Sequence, residues 1–101
     1  MSNECKRTEE MIQEKGLNAP RLTPKQIEDT IAEESYHKLT EVLTVCVLTL
    51  TNGFTVTGES ACASPENYDK EIGEKIAREN AKENIWQLEG YLLKQRLFEQ
   101  K

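Results

Sequence analysis

The chain has 101 residues, of which 13 are basic and 18 acidic, so its formal net charge is −5 at pH 7. A chain of this length is expected to form one domain, and its acidic balance argues against a general nucleic-acid-binding protein, which needs a basic surface to displace counterions from phosphates. No apolar run approaches the roughly 20 residues that span a bilayer, and the N-terminus has no apolar signal-peptide region.

The N-terminal segment contains little apolar surface. Helix-forming residues at 3–15 include one short apolar patch, Met11 and Ile12, and they end at Gly16, which is typical of a helix C-terminus. We expect residues 1–18 to be flexible or marginally helical, because so few apolar side chains cannot dock firmly. Residues 19–101 are then expected to form a single α+β domain.

The first strong signal of a helix start follows a short linker. Thr23 and Gln26 have the spacing of a capping box, and Pro24 occupies the first helical position, where proline is favoured. The pattern predicts a short helix that runs to about residue 36, with Ile27 and Ile31 as its buried ridge.

A β-hairpin is predicted around Asn52 and Gly53, because this dipeptide between two β-rich runs favours a two-residue type I′ turn. In that register Thr49 pairs with Val56. One face then carries Val45, Val47, Phe54 and Val56, and the other carries Cys46, Leu48 and Leu50. The first strand is apolar on both faces, which is typical of a strand that is covered on both sides. We expect helices on one face and a second subunit on the other.

A long C-terminal helix is predicted from Ser64, a favoured N-cap, and Pro65 at the first helical position. Its apolar residues recur at helical spacing and include Tyr68, Ile72, Ile76, Ala77, Ala81, Ile85, Leu88 and Leu92. A second apolar stripe begins in the C-terminal half, at Trp86, Gly90, Leu93 and Leu97. This half is apolar on more than one face, so it is either core beneath the first helix or an interface for self-association or a partner. The predicted interface residues are Trp86, Tyr91, Leu93 and Leu97.

A polar rim is expected where the hairpin ends and the long helix begins, because a helix N-terminus favours anions. The candidate ligand-binding residues are Glu59, Ser60, Asn67 and Asp69. Helix capping and compensation of the helix dipole explain the same residues without a ligand. Both interpretations stay open at the level of sequence.

Three basic residues, Lys75, Arg78 and Lys82, lie at helical spacing and could contact phosphates. However, Glu71 precedes Lys75 by four residues and Glu74 precedes Arg78 by four. This is the favourable orientation for ion pairs within a helix, so a solvated, salt-bridged face is the preferred interpretation.

Three further residues, His37, Cys46 and Cys62, have side chains that can bind metals or act as nucleophiles or bases. His37 is the only histidine and is expected at the surface, at the end of the first helix, because no metal-binding spacing surrounds it. Cys46 is expected in the core, and Cys62, near a helix start, lacks a general base at recognisable spacing. With Cys5 the cysteines number three and are widely spaced, which predicts a reducing, cytoplasmic location. No catalytic residue, metal site or cofactor is predicted.

Several blocks of the sequence resemble a known family. They are APRLTP at 19–24, LTVCVLTLTNGFTVTGESAC at 43–62, SPENYDKEIGEKIARENA at 64–81 and IWQLEGYLL at 85–93. Together they resemble a family of small tailed-bacteriophage proteins that is named after gene forty-nine of one enterobacterial phage and gene sixty-six of another. The likeness implies an accessory gene of phages and prophages, and it carries over no defined catalytic residues.

The expected fold is α+β: a short helix, an antiparallel β-hairpin, and a long C-terminal helix packed on the hairpin, in a chain that self-associates. The expected function is that of a non-enzymatic phage accessory protein in the host cytoplasm. It would bind a host protein or a small nucleotide-like signalling metabolite, for example to block a host defence. The alternative is a nucleic-acid-binding module that uses the hairpin and the basic helix face. A third option, an enzyme, would rest on Glu59, Ser60, Cys62 and Asp69.

Overall fold

The computed structural model describes residues 20–100, so the predictions for the segment 1–18 and for Cys5 lie outside the described residues. The elements in chain order are α1 (Pro24–Asp29), β1 (Ile31–Lys38), β2 (Leu43–Leu50), β3 (Thr55–Ala61), a single 3-10 turn (Pro65–Asn67) and α2 (Lys70–Glu99). The strands form an antiparallel sheet in the order β1-β2-β3, and α2 packs across one face of it. The predicted α+β class is confirmed. No helix within the described range is long and apolar enough to cross a membrane.

The first helix is shorter than predicted. Its capping box is present, with the hydroxyl of Thr23 accepting from the backbone of Gln26 and the Gln26 amide oxygen accepting in return. However, α1 ends at Asp29, and residues 31–38 form a strand that pairs with β2. The prediction of a helix to residue 36 was wrong. A two-stranded ribbon is marginal in water, so pairing with the free edge of β2 outweighed the weak helical preference of this segment.

The hairpin turn also differs from the prediction. The observed pairs are Leu48 with Val56 and Cys46 with Gly58, one residue away from the predicted register. Among the described residues only Gly53 has a positive φ, +89°, whereas a type I′ turn needs positive φ at both of its central residues. The connection is therefore a three-residue loop, residues 51–53, whose last residue is the glycine.

This change of register decides which residues form the core. The buried sheet residues all lie on one face: Thr44, Cys46, Leu48, Leu50, Val56 and Gly58. In the predicted register Val56 would have shared a face with Val45 and Val47 instead. Ala77, Ala81 and Ile85 of α2 cover the buried face, and Ile27 of α1 completes the core. Cys46 is fully buried, as predicted.

The start of α2 is later than predicted. Ser64 and Pro65 open only the 3-10 turn, and the N-cap of α2 is Asp69, whose carboxylate accepts a backbone N–H of the first helical turn. Between these two starts Tyr68 is extended, and its hydroxyl lies 3.3 Å from the hydroxyl of Thr44. The chain is thereby attached to the sheet before the long helix begins.

Gly58 sets the distance between α2 and the sheet. A Cβ atom at this position would collide with the backbone of Ala77 and Ala81, so the helix and strand backbones are in direct contact. The two alanines present only methyl groups to the strand, and both are fully buried. The close approach therefore needs a glycine on β3 and small residues on α2.

We predict that Gly58→Ala destabilises the protein by about 3 kcal/mol, because the added methyl group has no space and the helix must move away from the sheet. The matched control is Gly90→Ala, where the nearest atom to an added Cβ is the Leu22 side chain at 3.9 Å. That change within a helix should stabilise by about 0.5–1 kcal/mol. Urea unfolding measures both variants, and an unchanged unfolding midpoint for Gly58→Ala would contradict the packing described here.

Candidate functional site

The start of α2, the start of β2 and the end of β3 enclose a small cleft. Three of the four predicted ligand-binding residues line it, namely Ser60, Asn67 and Asp69, together with Tyr68 and Cys62. The structure thus brings these three side chains to one place, although they come from a strand, a 3-10 turn and a helix cap.

The fourth predicted residue, Glu59, lies elsewhere. Successive residues of a strand point to opposite faces, so the side chain of Glu59 is on the other face of β3 from that of Ser60. Glu59 borders a second, shallower depression beside Asn80 and Asn84. These two asparagines donate hydrogen bonds to the backbone carbonyls of Glu59 and Thr57, at 2.8 and 2.7 Å, and thereby cover the exposed edge of the sheet.

Asp69 and Cys62 of the cleft already have partners within the chain. The carboxylate of Asp69 caps α2, and the thiol of Cys62 lies 3.4 Å from the carbonyl oxygen of Ser64, whose hydroxyl donates to Glu66. The cleft has a volume of about 120 Å³, well below the roughly 300 Å³ at which small-molecule sites begin. Ligand binding by the predicted residues stays a prediction, and this cleft offers space for a small fragment only.

A cluster of ion pairs connects three elements on the side of α2 nearest α1. The guanidinium of Arg78 donates to both oxygens of Glu28, at 3.1 and 2.9 Å, and to Glu34 at 2.7 Å. The ammonium of Lys82 lies 2.7 Å from Glu28. The hydroxyl of Tyr36 donates to Glu34 at 2.8 Å. The cluster joins α1 and β1 to α2, over sequence separations of more than 40 residues that no local pattern reveals.

The cluster changes the interpretation of the basic helix face. Arg78 pairs with Glu28 and Glu34 of other elements, so the predicted pair with Glu74 within the helix was wrong. Lys82 is likewise neutralised, and only 14% of its side chain is exposed. Of the three basic residues, Lys75 alone is exposed. Most of the positive charge on this helix face is therefore neutralised and is not available to bind phosphate.

The hydrogen bonds of the cluster shift the titration of its members. Hydrogen bonds from Arg78, which has the larger effect, and from Lys82 together lower the pKa of Glu28 to about 2. The pKa of Glu34 is lowered by the Tyr36 hydroxyl and by Arg78. Burial and the neighbouring carboxylate raise the pKa of Tyr36. At neutral pH both carboxylates are therefore ionised and the phenol is neutral.

The second half of α2 extends past the sheet. Asn80 donates a hydrogen bond to the carbonyl of residue 59, and Asn84 donates to the carbonyl of residue 57. Four residues along the helix and two residues along the strand therefore cover the same distance, about 6 Å. The same step places Leu88 level with Thr55, the first residue of β3. Within residues 20–100, no strand lies beneath the rest of the helix.

Large apolar side chains of this extension are exposed to solvent. We call the set the apolar overhang, and it consists of Leu88, Tyr91, Leu92 and Phe98, with exposed fractions between 37% and 72%. Of the predicted interface residues, Tyr91 belongs to the overhang, Trp86 packs against the core, and Leu93 and Leu97 are half-buried. Phe98 is not among the predicted interface residues, and the helical spacing had assigned Leu88 and Leu92 to the core stripe.

His37 has a different location from the predicted helix end, because the segment around it is a strand. It lies exposed on β1, and its Nε2 is 3.0 Å from the hydroxyl of Ser35. In residues 20–100 no group of three or more His, Cys, Asp or Glu side chains is arranged to hold a metal ion.

Comparison with known proteins identifies the family of the chain. The model of the phage protein (N4 Gp49/phage Sf6 gene 66) family matches residues 22–97, about three quarters of the sequence. The chain belongs to this family. The matched region includes α1, the sheet, the cleft and most of α2, so the conclusion drawn from the sequence blocks is confirmed. No curated protein and no solved structure matches the chain.

We predict that Glu28→Gln lowers the free energy of unfolding at pH 7 by about 1 kcal/mol, a modest amount because Glu28 is partly exposed and screened by solvent. The pKa of Glu28 is lower in the folded than in the unfolded protein, so its contribution is present above about pH 4.5 and is lost as the pH falls towards 2. The difference between variant and wild type should shrink over that range.

The matched control for this experiment is Asp29→Asn, which removes only an exposed pair with Lys25 on the same helix. It should cost less than about 0.5 kcal/mol. Urea unfolding from pH 2 to 7 measures all three proteins, and equal losses for the two variants would show that the cluster contributes nothing beyond a surface pair.

Proposed function

We propose that this phage protein is an accessory protein that acts by binding a host protein in the host cytoplasm, without catalysing a reaction. The observation that carries the proposal is the apolar overhang. Tyr91 is 72% and Phe98 66% exposed on a part of α2 beneath which no strand of the described segment lies. Family membership supports a role in the phage life cycle but does not name a target.

The composition of the overhang supports an interaction surface. Aromatic side chains are enriched among interface anchors, and each can bury on the order of 150–250 Å². Two aromatic and two leucine side chains together amount to an apolar patch of several hundred square ångströms, the size that marks interaction sites on soluble proteins. Their exposure to water is unfavourable for the isolated chain, and a partner removes that cost.

The spacing of these residues suggests how a partner would be engaged. Leu88, Tyr91 and Leu92 stand at positions i, i+3 and i+4 of one helix, the pattern with which an amphipathic helix fills an apolar groove. Because the helix is already formed and held at its other end by the core, little ordering entropy would oppose binding. We therefore propose a host protein with an apolar groove as the target.

A small nucleotide-like signalling metabolite is the other target considered. It would need the cleft at Ser60, Asn67 and Asp69, and the volume of about 120 Å³ is small for a nucleotide. The nucleic-acid alternative draws little support from the helix face of Lys75, Arg78 and Lys82, because two of the three are paired with carboxylates. Duplex binding with a steep salt dependence would revive that alternative.

We predict that the double change Tyr91→Ala and Phe98→Ala abolishes capture of a host polypeptide while leaving the fold intact. Loss of two aromatic anchors should weaken binding by about 2 kcal/mol or more, roughly 30-fold in Kd. Native mass spectrometry of the protein purified from its bacterial host identifies the bound chain, and titration of that purified chain measures the affinity.

The matched control is Ile72→Ala with Ile76→Ala, which removes two exposed apolar side chains from the other end of α2. The control should retain the host polypeptide. Equal capture by the overhang variant would contradict the proposal. An added mass of several hundred daltons with no polypeptide, lost on Asn67→Ala, would assign the function to the cleft and a metabolite instead.

A further inference from the structure

The face of the sheet opposite α2 has no element over it within residues 20–100. We call it the open sheet face. The pairing register assigns to it Glu33, Ser35 and His37 of β1, Leu43, Val45, Val47 and Thr49 of β2, and Thr55, Thr57, Glu59 and Ala61 of β3. Its centre is apolar and its two margins are polar, an arrangement that resembles the apolar core and polar rim of an interface.

The central strand is the informative element. Leu43, Val45 and Val47 are only half-buried, although the alternate residues of the same strand are fully buried beneath α2. A strand that faces water on one side normally alternates between apolar and polar residues. Apolar residues on both faces of β2 are therefore typical of a strand covered on both sides.

At the level of Val45, the two margins of the open sheet face carry different chemical groups. Along the row through Val45, β1 presents His37 and β3 presents Glu59. Along the next row, Val47 lies between two hydroxyl side chains, Ser35 and Thr57. An imidazole on one margin and a carboxylate on the other can complement each other only if the two margins meet.

We propose that a second copy of this chain covers the open sheet face, related by a two-fold axis parallel to β2. Rotation about such an axis stacks the two central strands and places β1 of each copy over β3 of the other. Residues of one row stay on the same level, so the partner's His37 faces Glu59 and the contact occurs twice. This inference does not depend on the function proposed for the overhang.

Local geometry fits this arrangement. Packed sheets lie about 10 Å apart with their strands within about 30° of each other, a gap that two side chains span. The depression beside Glu59 leaves room for an imidazole. The Nε2 atom of His37 lies 3.0 Å from the Ser35 hydroxyl. In the tautomer in which that hydroxyl donates to Nε2, the Nδ1–H group is left to donate to the carboxylate.

Charge distinguishes this symmetry from the alternative. A two-fold axis that runs across the strands at the level of Val45 would place β3 over β3 and bring the two Glu59 carboxylates together. Like charges at an interface are unfavourable, whereas the axis along β2 places each carboxylate opposite an imidazole.

The size of the face sets the expected affinity. Three strands of seven or eight residues cover roughly 14 by 25 Å, about 350 Å² per copy, which is below the standard interface size and typical of weak, transient complexes. We therefore expect a Kd of roughly 10–100 µM. The experiment must span concentrations on both sides of that range.

The test is sedimentation equilibrium of the full chain from about 1 µM to about 1 mM, with charge-swap variants. The wild type should form a dimer. His37→Glu and Glu59→Lys should each weaken it by at least about tenfold. The first places two carboxylates in contact, the second removes the carboxylate that accepts from the imidazole, and each change acts twice. The double variant H37E/E59K should restore the affinity to within about threefold of wild type, which also shows that the single variants are folded.

Two controls separate this interface from other surfaces. Glu71→Lys makes the same charge change on an exposed residue of α2, on the other side of the sheet, and should leave the dimer unchanged. The overhang variant Y91A/F98A should also leave it unchanged. A monomer at about 1 mM, a double variant no better than the single ones, or a dimer that is lost only on changing the overhang would overturn the proposal.

Discussion

The contact between Gly58 and the backbone of α2 is the constraint on which the rest of the structure depends. With no side chain at this point, the helix lies directly against β3, and only small residues such as Ala77 and Ala81 fit between them. The contact determines the line that α2 follows over the sheet. That line brings Asn80 and Asn84 to the carbonyl groups of the strand edge and directs Arg78 towards α1 and β1.

The same line explains where the binding surfaces lie. The N-terminal half of α2 packs its small residues against the sheet, and a small cleft lies at its start. The C-terminal half continues in the same direction past the first residue of β3, so its apolar residues cover no strand of the described segment. A long helix attached near one end thus presents a preformed surface at the other, a suitable arrangement for a small protein that acts through a partner.

The sequence indicated which types of residue would form the candidate site, but it did not indicate where all of them lie in the fold. Ser60, Asn67 and Asp69 meet as the sequence suggested, because a strand end and a helix start must be joined by a short connection. Glu59 is separated from them by the alternation of the strand, which a search for neighbouring polar residues overlooks. The partners of Arg78 were misassigned, since its nearest acidic residue in the sequence is outcompeted by carboxylates more than 40 residues away.

The sequence by itself determined the class of the fold, the existence of a hairpin near Asn52, the long C-terminal helix and the family, because these follow from local patterns and contiguous blocks. The tertiary structure alone decided that residues 31–38 form a strand and that the hairpin register differs by one residue. Strand pairing satisfies backbone groups of distant segments, and the close approach of α2 selects the register that places Gly58 beneath it. Neither effect is encoded in any short window of the chain.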